Sequence, residues 1–329
     1  MRALTLRSFD GPEALHVTDV TEPDARDRVL IEVHAAGVGF ADLLLTHGRY
    51  QARPALPFIP GMEVTGVVRA APEGSGFERG TRVSAFCGVG GGFAELAAAA
   101  PAFTFPIPGS LDFADAAGLV VNYQAAYLAL ERRARLRRDE TVLVQGAGGG
   151  LGVATVQVAR ALRGRVLAVT STAAKRAAAR EAGADEVVAP DEGWPEQVRQ
   201  WTHGRGVDVA VDPVGGDRFD HTLRVLAPEG RLVVVGFTSG RIPQLTVNRL
   251  LLRNVDVRGA GWREFVTEVD PGFPRVAAAA LGDMVEQGTI TPVASARYPL
   301  EQGAHALRDL AERRSTGRAV LTVRPQPAP

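Results

Sequence analysis

The chain has 329 residues, room for two domains of the usual ~100–200 residues, with 46% hydrophobic residues, 22% charged residues and a net charge of zero. That balance gives no pull toward nucleic acid or an acidic membrane surface, and no apolar run approaches the ~20 residues of a membrane helix. One cysteine, Cys87, excludes an internal disulfide and a cysteine-rich zinc site.

The opening "MRALTLRSFDGPEALHV" alternates like a strand and reaches Asp10 and Gly11 too soon for a secretory signal core, so a cytoplasmic protein is expected. Up to about residue 115 short alternating segments follow: "RALTLRSF", "LHVTDV", "RVLIEVHAAGV", "VTGVVRAA" and "TRVSAF". Gly, Pro and Asp clusters separate them, the pattern of a β-rich domain. "FADAAGLVVNYQAAYLALERRARL" then changes period, with apolar residues recurring at three and four, and predicts helix.

From Glu140 strands and helices alternate. "TVLVQG" is a short apolar run, then come glycines, then the helical "VATVQVARALRG". "RVLAVT", the helix "AAKRAAAREAG", "DEVVA", "WPEQVRQWTHG", "VDVAVD", "RFDHTLRVLAPEG" and "RLVVVGF" continue the alternation. Short strands joined by helices mean a parallel sheet covered on both faces. After Asn254 the text is mixed again, and only the tail "RPQPAP" reads as disordered. The expected α/β organisation is discontinuous: residues 1–117 with 258–329 form the β-rich domain, and 118–257 form an inserted doubly wound domain.

The glycines of "TVLVQGAGGGLGVATVQVARAL" carry the first chemistry. Aligned to G-x-G-x-x-G they read Ala147, Gly149 and Gly152, within a candidate phosphate loop of Ala147, Gly148, Gly149, Gly150, Leu151, Gly152 and Val153. The second position lets a pyrophosphate approach the backbone, and the third lets the helix pack close to the strand. Unpaired amides and partial positive charge at the helix start then face the anion. The loop follows a strand, opens a helix and begins a βαβ unit, which favours dinucleotide binding over a plain turn. An NAD site usually places a carboxylate about 20 residues on, for the ribose hydroxyl. Here that turn offers Val169, Thr170, Ser171 and Thr172, followed by Lys175 and Arg176. Hydroxyls and a cation suit a 2′-phosphate, which a carboxylate would repel, so NADPH is expected over NADH. Lys175 also reads as an ordinary solvated helix residue, although it is the single lysine among 37 basic residues.

With these pieces placed, the chain resembles the zinc-independent quinone oxidoreductases of the medium-chain dehydrogenase/reductase superfamily from end to end. The segments that carry the resemblance are "AAGVGFADLLLTHGRY", "LPFIPGMEVTGVV", "ETVLVQGAGGGLGVATVQVARAL", "GRGVDVAVDPVGGDRF", "GRLVVVGFTSG" and "STGRAVL". The resemblance implies a GroES-like β domain with an inserted Rossmann domain, NADPH as cofactor and a homodimer. It implies Ser171 and Lys175 at the 2′-phosphate, next to Thr170 of the same cofactor-binding turn, Phe237 and Thr238 of "GFTSG" along the nicotinamide, and Phe40, Asp42 and Tyr50 at the substrate cleft. The chain departs from the family at Gly39 (usually Asn), Ala125 (often Thr) and Pro190 (often Tyr).

Zinc-dependent relatives carry histidine in "GHE", where this chain has Gly61-Met62-Glu63, and thioether is a poor zinc ligand. The 6 histidines show no ligand spacing, and Cys87 stands alone, so no metal is expected. Without a Lewis acid the hydride acceptor must spread charge itself, as quinones and α,β-unsaturated carbonyls do. Tyr50 is a candidate donor to the developing oxyanion, or a packing residue. Asp42 is a catalytic candidate, though its position favours a helix cap or ion-pair partner over an acid. The expected function is an NADPH-dependent quinone or enone reductase. The alternatives are an enoyl-thioester or alkenal reductase and a catalytically weak NADPH-binding sensor.

Overall fold

The structure, a computed structural model, describes residues 1–325. Its strands, in chain order, are β1 (Arg2–Leu6), β2 (Leu15–Asp19), β3 (Val29–Val38), β4 (Glu63–Ala70), β5 (Arg82–Phe86), β6 (Leu96–Ala99) and β7 (Thr104–Pro106). Then come β8 (Thr141–Gln145), β9 (Arg165–Val169), β10 (Glu186–Val188), β11 (Val207–Asp212), β12 (Leu226–Val234), β13 (Asp256–Gly259), β14 (Ala294–Pro299) and β15 (Arg318–Thr322). The chain divides into two units, residues 1–121 with 274–282 and 292–329, and residues 122–273 with 283–291. The C-terminal contribution to the first unit therefore begins at 274, because β13 and the residues after it group with the second.

In the first unit β14, β15, β3, β4, β5 and β7 lie side by side, with β6 also on β3, and β1 pairs with β2. The pairing is antiparallel except between β14 and β15. Alternation drives this. Along β3, Val29, Ile31 and Val33 are fully buried while Leu30 and Glu32 are half-buried, so one face meets a core that includes Leu4, Leu6, Phe93 and Leu321. β6, β7 and β14 escape sequence reading because "LAAA" and "TFP" are short and "ASARYP" carries little apolar contrast. Of the tail, Arg324 donates its N–H to the His34 carbonyl, and His34 Nδ1 lies 3.0 Å from the Pro325 carbonyl oxygen. The remainder of the expected disordered tail, residues 326–329, lies outside the described residues.

In the second unit the order β10, β9, β8, β11, β12, β13 is parallel throughout. β8 and β11 are buried along their whole length, which is why they read as apolar runs without alternation. Leu143, Leu167, Leu226, Leu232 and Trp194 fill the core, where a Leu→Ala change costs about 2–5 kcal/mol. Strand order runs outward from β8 in one direction and from β11 in the other. The reversal between them is the point where such sheets bind ligands, beyond the strand C-termini. The helix after Asp217 is shorter than the sequence suggests, Arg218–Arg224, and β12 takes over at Leu226. The segment after Phe113 is helical as expected, but π-type turns over Leu119–Tyr123 and Leu128–Ala134 interrupt the α-helix. No helix among the described residues is long and apolar enough to cross a membrane.

Candidate functional site

The glycine loop lies beyond the C-terminus of β8, beside the strand-order reversal. Gly149 is the extended N-cap of the Gly150–Ala161 helix and provides no side-chain cap. By helical geometry the first-turn amides of Gly150, Leu151 and Gly152 have no acceptor within the helix. The glycines divide by purpose. A Cβ on Gly152 would lie 2.2 Å from the Gly146 carbonyl oxygen, so this position is needed for close packing of helix on strand. A Cβ on Gly148 would lie 2.4 Å from Lys175 Cβ, so the next helix packs on the loop here. At Gly149 the nearest atom to a Cβ is the Gly146 oxygen at 3.6 Å. Protein packing does not require glycine there. The open space beside unspent amides fits the pyrophosphate of a dinucleotide, with the nicotinamide supplying hydride when bound.

The turn after β9 contains no carboxylate. Thr170 is buried, its amide donating to the Val188 carbonyl, so it lies inside the fold instead of on the turn's surface. Ser171 is exposed and Lys175 half-buried, and the Thr172 hydroxyl accepts the Lys175 amide at 3.2 Å as the cap of the Ala173–Glu181 helix. Arg176 Nη1 donates to the Ser171 carbonyl at 2.5 Å, which brings a second cation to the same turn. Pro190 follows β10 and is half-buried. Phe237 and Thr238 lie just past β12, beyond the same C-terminal end of the parallel strands as the glycine loop. The Thr238 amide donates to the Pro213 carbonyl at 3.0 Å. The turn Pro213–Gly216 is the component that sequence reading missed. Its signal was the "DPVGG" run directly after the apolar β11.

Phe40, Asp42 and Tyr50 belong to the first unit, on the helix Phe40–Thr46 and the loop after it. Phe40 is half-buried against the core and Tyr50 is half-buried. Asp42, the catalytic candidate, is placed as a helix cap. It is buried, Oδ2 accepting the Gly39 amide at 2.9 Å and Oδ1 the Gly61 amide at 3.1 Å. It closes the helix N-terminus from the third helical position and pins the loop before β4. Burial pushes its pKa up to about 6, against the lowering effect of these amides and of Arg318.

Beside it, Glu63 and Arg318 form a buried ion pair through Glu63 Oε1 and Arg318 Nη2. Glu63 Oε2 accepts the Val121 amide at 2.9 Å, and Arg318 donates to the Ala117 carbonyl at 3.1 Å and the Val38 carbonyl at 3.3 Å. Glu63 is thus a structural acceptor, while Arg318 was not singled out in the sequence because its partners lie far away along the chain. These residues do not fit zinc. Met62 has replaced the histidine, Glu63 is committed to Arg318, and burial pushes the Cys87 thiol up to about 12. Among the described residues no three His, Cys, Asp or Glu side chains converge.

Two domain models match the chain, an alcohol dehydrogenase GroES-like domain over residues 25–109 and a zinc-binding dehydrogenase domain over residues 150–277. Their combination defines a medium-chain dehydrogenase/reductase. Quinone oxidoreductase from Rattus norvegicus is 34% identical over 94% of this chain and 94% of its own length. A probable oxidoreductase from Mycobacterium abscessus is 43% identical, with a TM-score of 0.90 over 98% of this chain and 99% of its own. The quinone oxidoreductase of Thermus thermophilus, described also in complex with NADPH, is 36% identical, with a TM-score of 0.85 over 98% of this chain and 100% of its own. The chain belongs to the quinone oxidoreductase family of the medium-chain dehydrogenases/reductases, a family of oxidoreductases.

Proposed function

We propose that the protein is an NADPH-dependent reductase of quinones or small α,β-unsaturated carbonyls that works without a metal. The observation that carries this reading is the open, amide-lined space at Gly149, joined to a β9 turn bearing Ser171, Lys175 and Arg176 without a carboxylate. The loop from Ala147 to Val153 is the proposed pyrophosphate cradle. Ser171 and Lys175 are the proposed 2′-phosphate contacts, and Phe237 and Thr238 the nicotinamide contacts. The relatives named quinone oxidoreductase and the NADPH complex of the Thermus thermophilus protein support the choice of cofactor and acceptor. With Met62 and a committed Glu63 where a zinc site would need donors, charge on the reduced acceptor must be spread over its own conjugated system. Tyr50 is the proposed hydrogen-bond donor to the resulting oxyanion, with Phe40 shaping the substrate side.

The test is oxidation of NADPH and of NADH by 1,4-benzoquinone, 9,10-phenanthrenequinone and crotonyl-CoA. Faster turnover of NADPH with the quinones supports the proposal. Turnover with crotonyl-CoA alone would make the protein an enoyl-thioester reductase. Gly39, Ala125 and Pro190, the departures from the family pattern, favour a second reading in which NADPH binds with little turnover; binding without oxidation by any acceptor would establish it.

We also propose a homodimer joined through the edge strand β13. Among the described residues β13 pairs only with β12, and Leu251 and Leu252 on the preceding helix are 76% and 75% exposed. Light scattering on the purified protein decides between one copy and two.

A further inference from the structure

We infer that Asp212, at the end of β11, is the positioning residue for the turns facing the nicotinamide; the inference rests on the NADPH reading above. Three turns meet where the strand order reverses. They are the glycine loop after β8, Pro213–Gly216 after β11 and the segment 237–241 after β12. The middle turn touches both others. A Cβ on Gly146 would lie 2.9 Å from Val214 Cγ2, so the glycine loop rests on Val214. On the other side the Thr238 amide donates to the Pro213 carbonyl and the Ser239 amide to the Val214 carbonyl, each at 3.0 Å, and the Gly216 amide donates to the Arg241 carbonyl at 3.1 Å.

Asp212 shapes that middle turn. Its Oδ1 accepts the amides of Val214 at 2.7 Å and Gly215 at 2.9 Å. Those bonds fold the chain back at once, an aspartate turn that leaves the carbonyls of Pro213 and Val214 aimed at the 237–241 segment. Gly215 and Gly216 follow at φ 63° and 64°, in the left-handed region. The approach is also too close for side chains, since Cβ atoms there would lie 2.9 Å from Phe237 Cδ1 and 2.8 Å from Ser239 Oγ. The whole "DPVGG" run therefore serves one contact: it sets the height and direction of Phe237 and Thr238 relative to the glycine loop. Asp212 is 1% exposed and lies under this assembly, and its Oδ2 has no hydrogen-bond partner. It has no route to a substrate, so its effect passes through the turns. Only the acceptor at Oδ1 is used, and asparagine supplies an acceptor at the same place.

The experiment is calorimetric titration of wild type, Asp212→Ala and Asp212→Asn with two ligands, NADPH and adenosine 2′,5′-bisphosphate, which lacks the nicotinamide. Asp212→Ala should weaken NADPH about tenfold, the loss expected when a loop gives up two carboxylate hydrogen bonds, while leaving the bisphosphate within about twofold. Asp212→Asn should bind both within about twofold of wild type. Equal weakening of both ligands by alanine, or none for NADPH, overturns the inference. If the alanine variant does not fold, the asparagine variant decides alone: retained NADPH affinity supports the positioning role, and selective loss of it overturns it. Failure of the cofactor reading itself is distinct, because wild type would then bind neither ligand.

Discussion

Two polar clusters, one in each unit, use backbone amides in opposite ways. At Glu63 the charges are saturated: Arg318 spans Glu63, Ala117 and Val38, and Asp42 takes two amides of its own. At Gly149 no side chain caps the helix start, the first-turn amides have no acceptor within the helix, and the space before them is open. Charge density alone points to the first as the functional centre. Counting donors still without acceptors points to the second. Buried charges already satisfied by their own fold hold strands together and have nothing left to offer a ligand.

Removing the pivot of the saturated cluster should have the largest effect. Arg318→Ala leaves Glu63 buried without its counter-charge and should lower unfolding free energy by about 3–5 kcal/mol in urea titration. Lys175→Glu acts on the open site alone, weakening NADPH roughly a hundredfold by repulsion of the extra phosphate while sparing NADH. Equal loss for both cofactors would remove Lys175 from the phosphate site. Asp42 probes the saturated cluster through pH. Its folded pKa of about 6 is raised by burial, so the protonated form is favoured in the fold. Stability from this group is complete below the ordinary aspartate range and fades as pH climbs through 6. Between pH 4 and pH 7 wild type should therefore lose about 2 kcal/mol relative to Asp42→Asn, measured as the difference between their urea midpoints at each pH. The smallest effect sharpens the contrast most. Gly149→Ala adopts an ordinary extended backbone and meets no protein atom closely, so stability should stay within about 0.5 kcal/mol. NADPH affinity should nevertheless fall about tenfold, read by calorimetry. A stability loss without a binding loss would reverse the assignment of the two clusters.

How far the chain could be read in advance follows the range of each interaction. The second unit was legible almost strand by strand, because parallel strands buried on both faces appear as apolar runs and each turn's chemistry is local, as in Thr141–Gly152. The carboxylate-free turn at Ser171–Lys175 was legible for the same reason. Asp42 was legible as a cap but not as the anchor of Gly61, a partner 19 residues away. Thr170 read as a surface hydroxyl because its burial depends on β10 pairing beside β9. Arg318 and Asp212 went unread: one is defined by distant partners, the other by turns that adjoin only after three strands have aligned.

The position of β15 in the first unit has a consequence for synthesis on the ribosome. This strand lies between β14 and β3, deep in the sheet order, yet its Arg318 is made 255 residues after Glu63. Until it emerges, the end of β3 from Ala35 to Val38 has an open edge and Glu63 waits without its cation, while the second unit, residues 122–273 and 283–291, has already been translated. The nascent chain thus meets a buried electrostatic requirement late, while a half-built sheet is exposed to wrong partners.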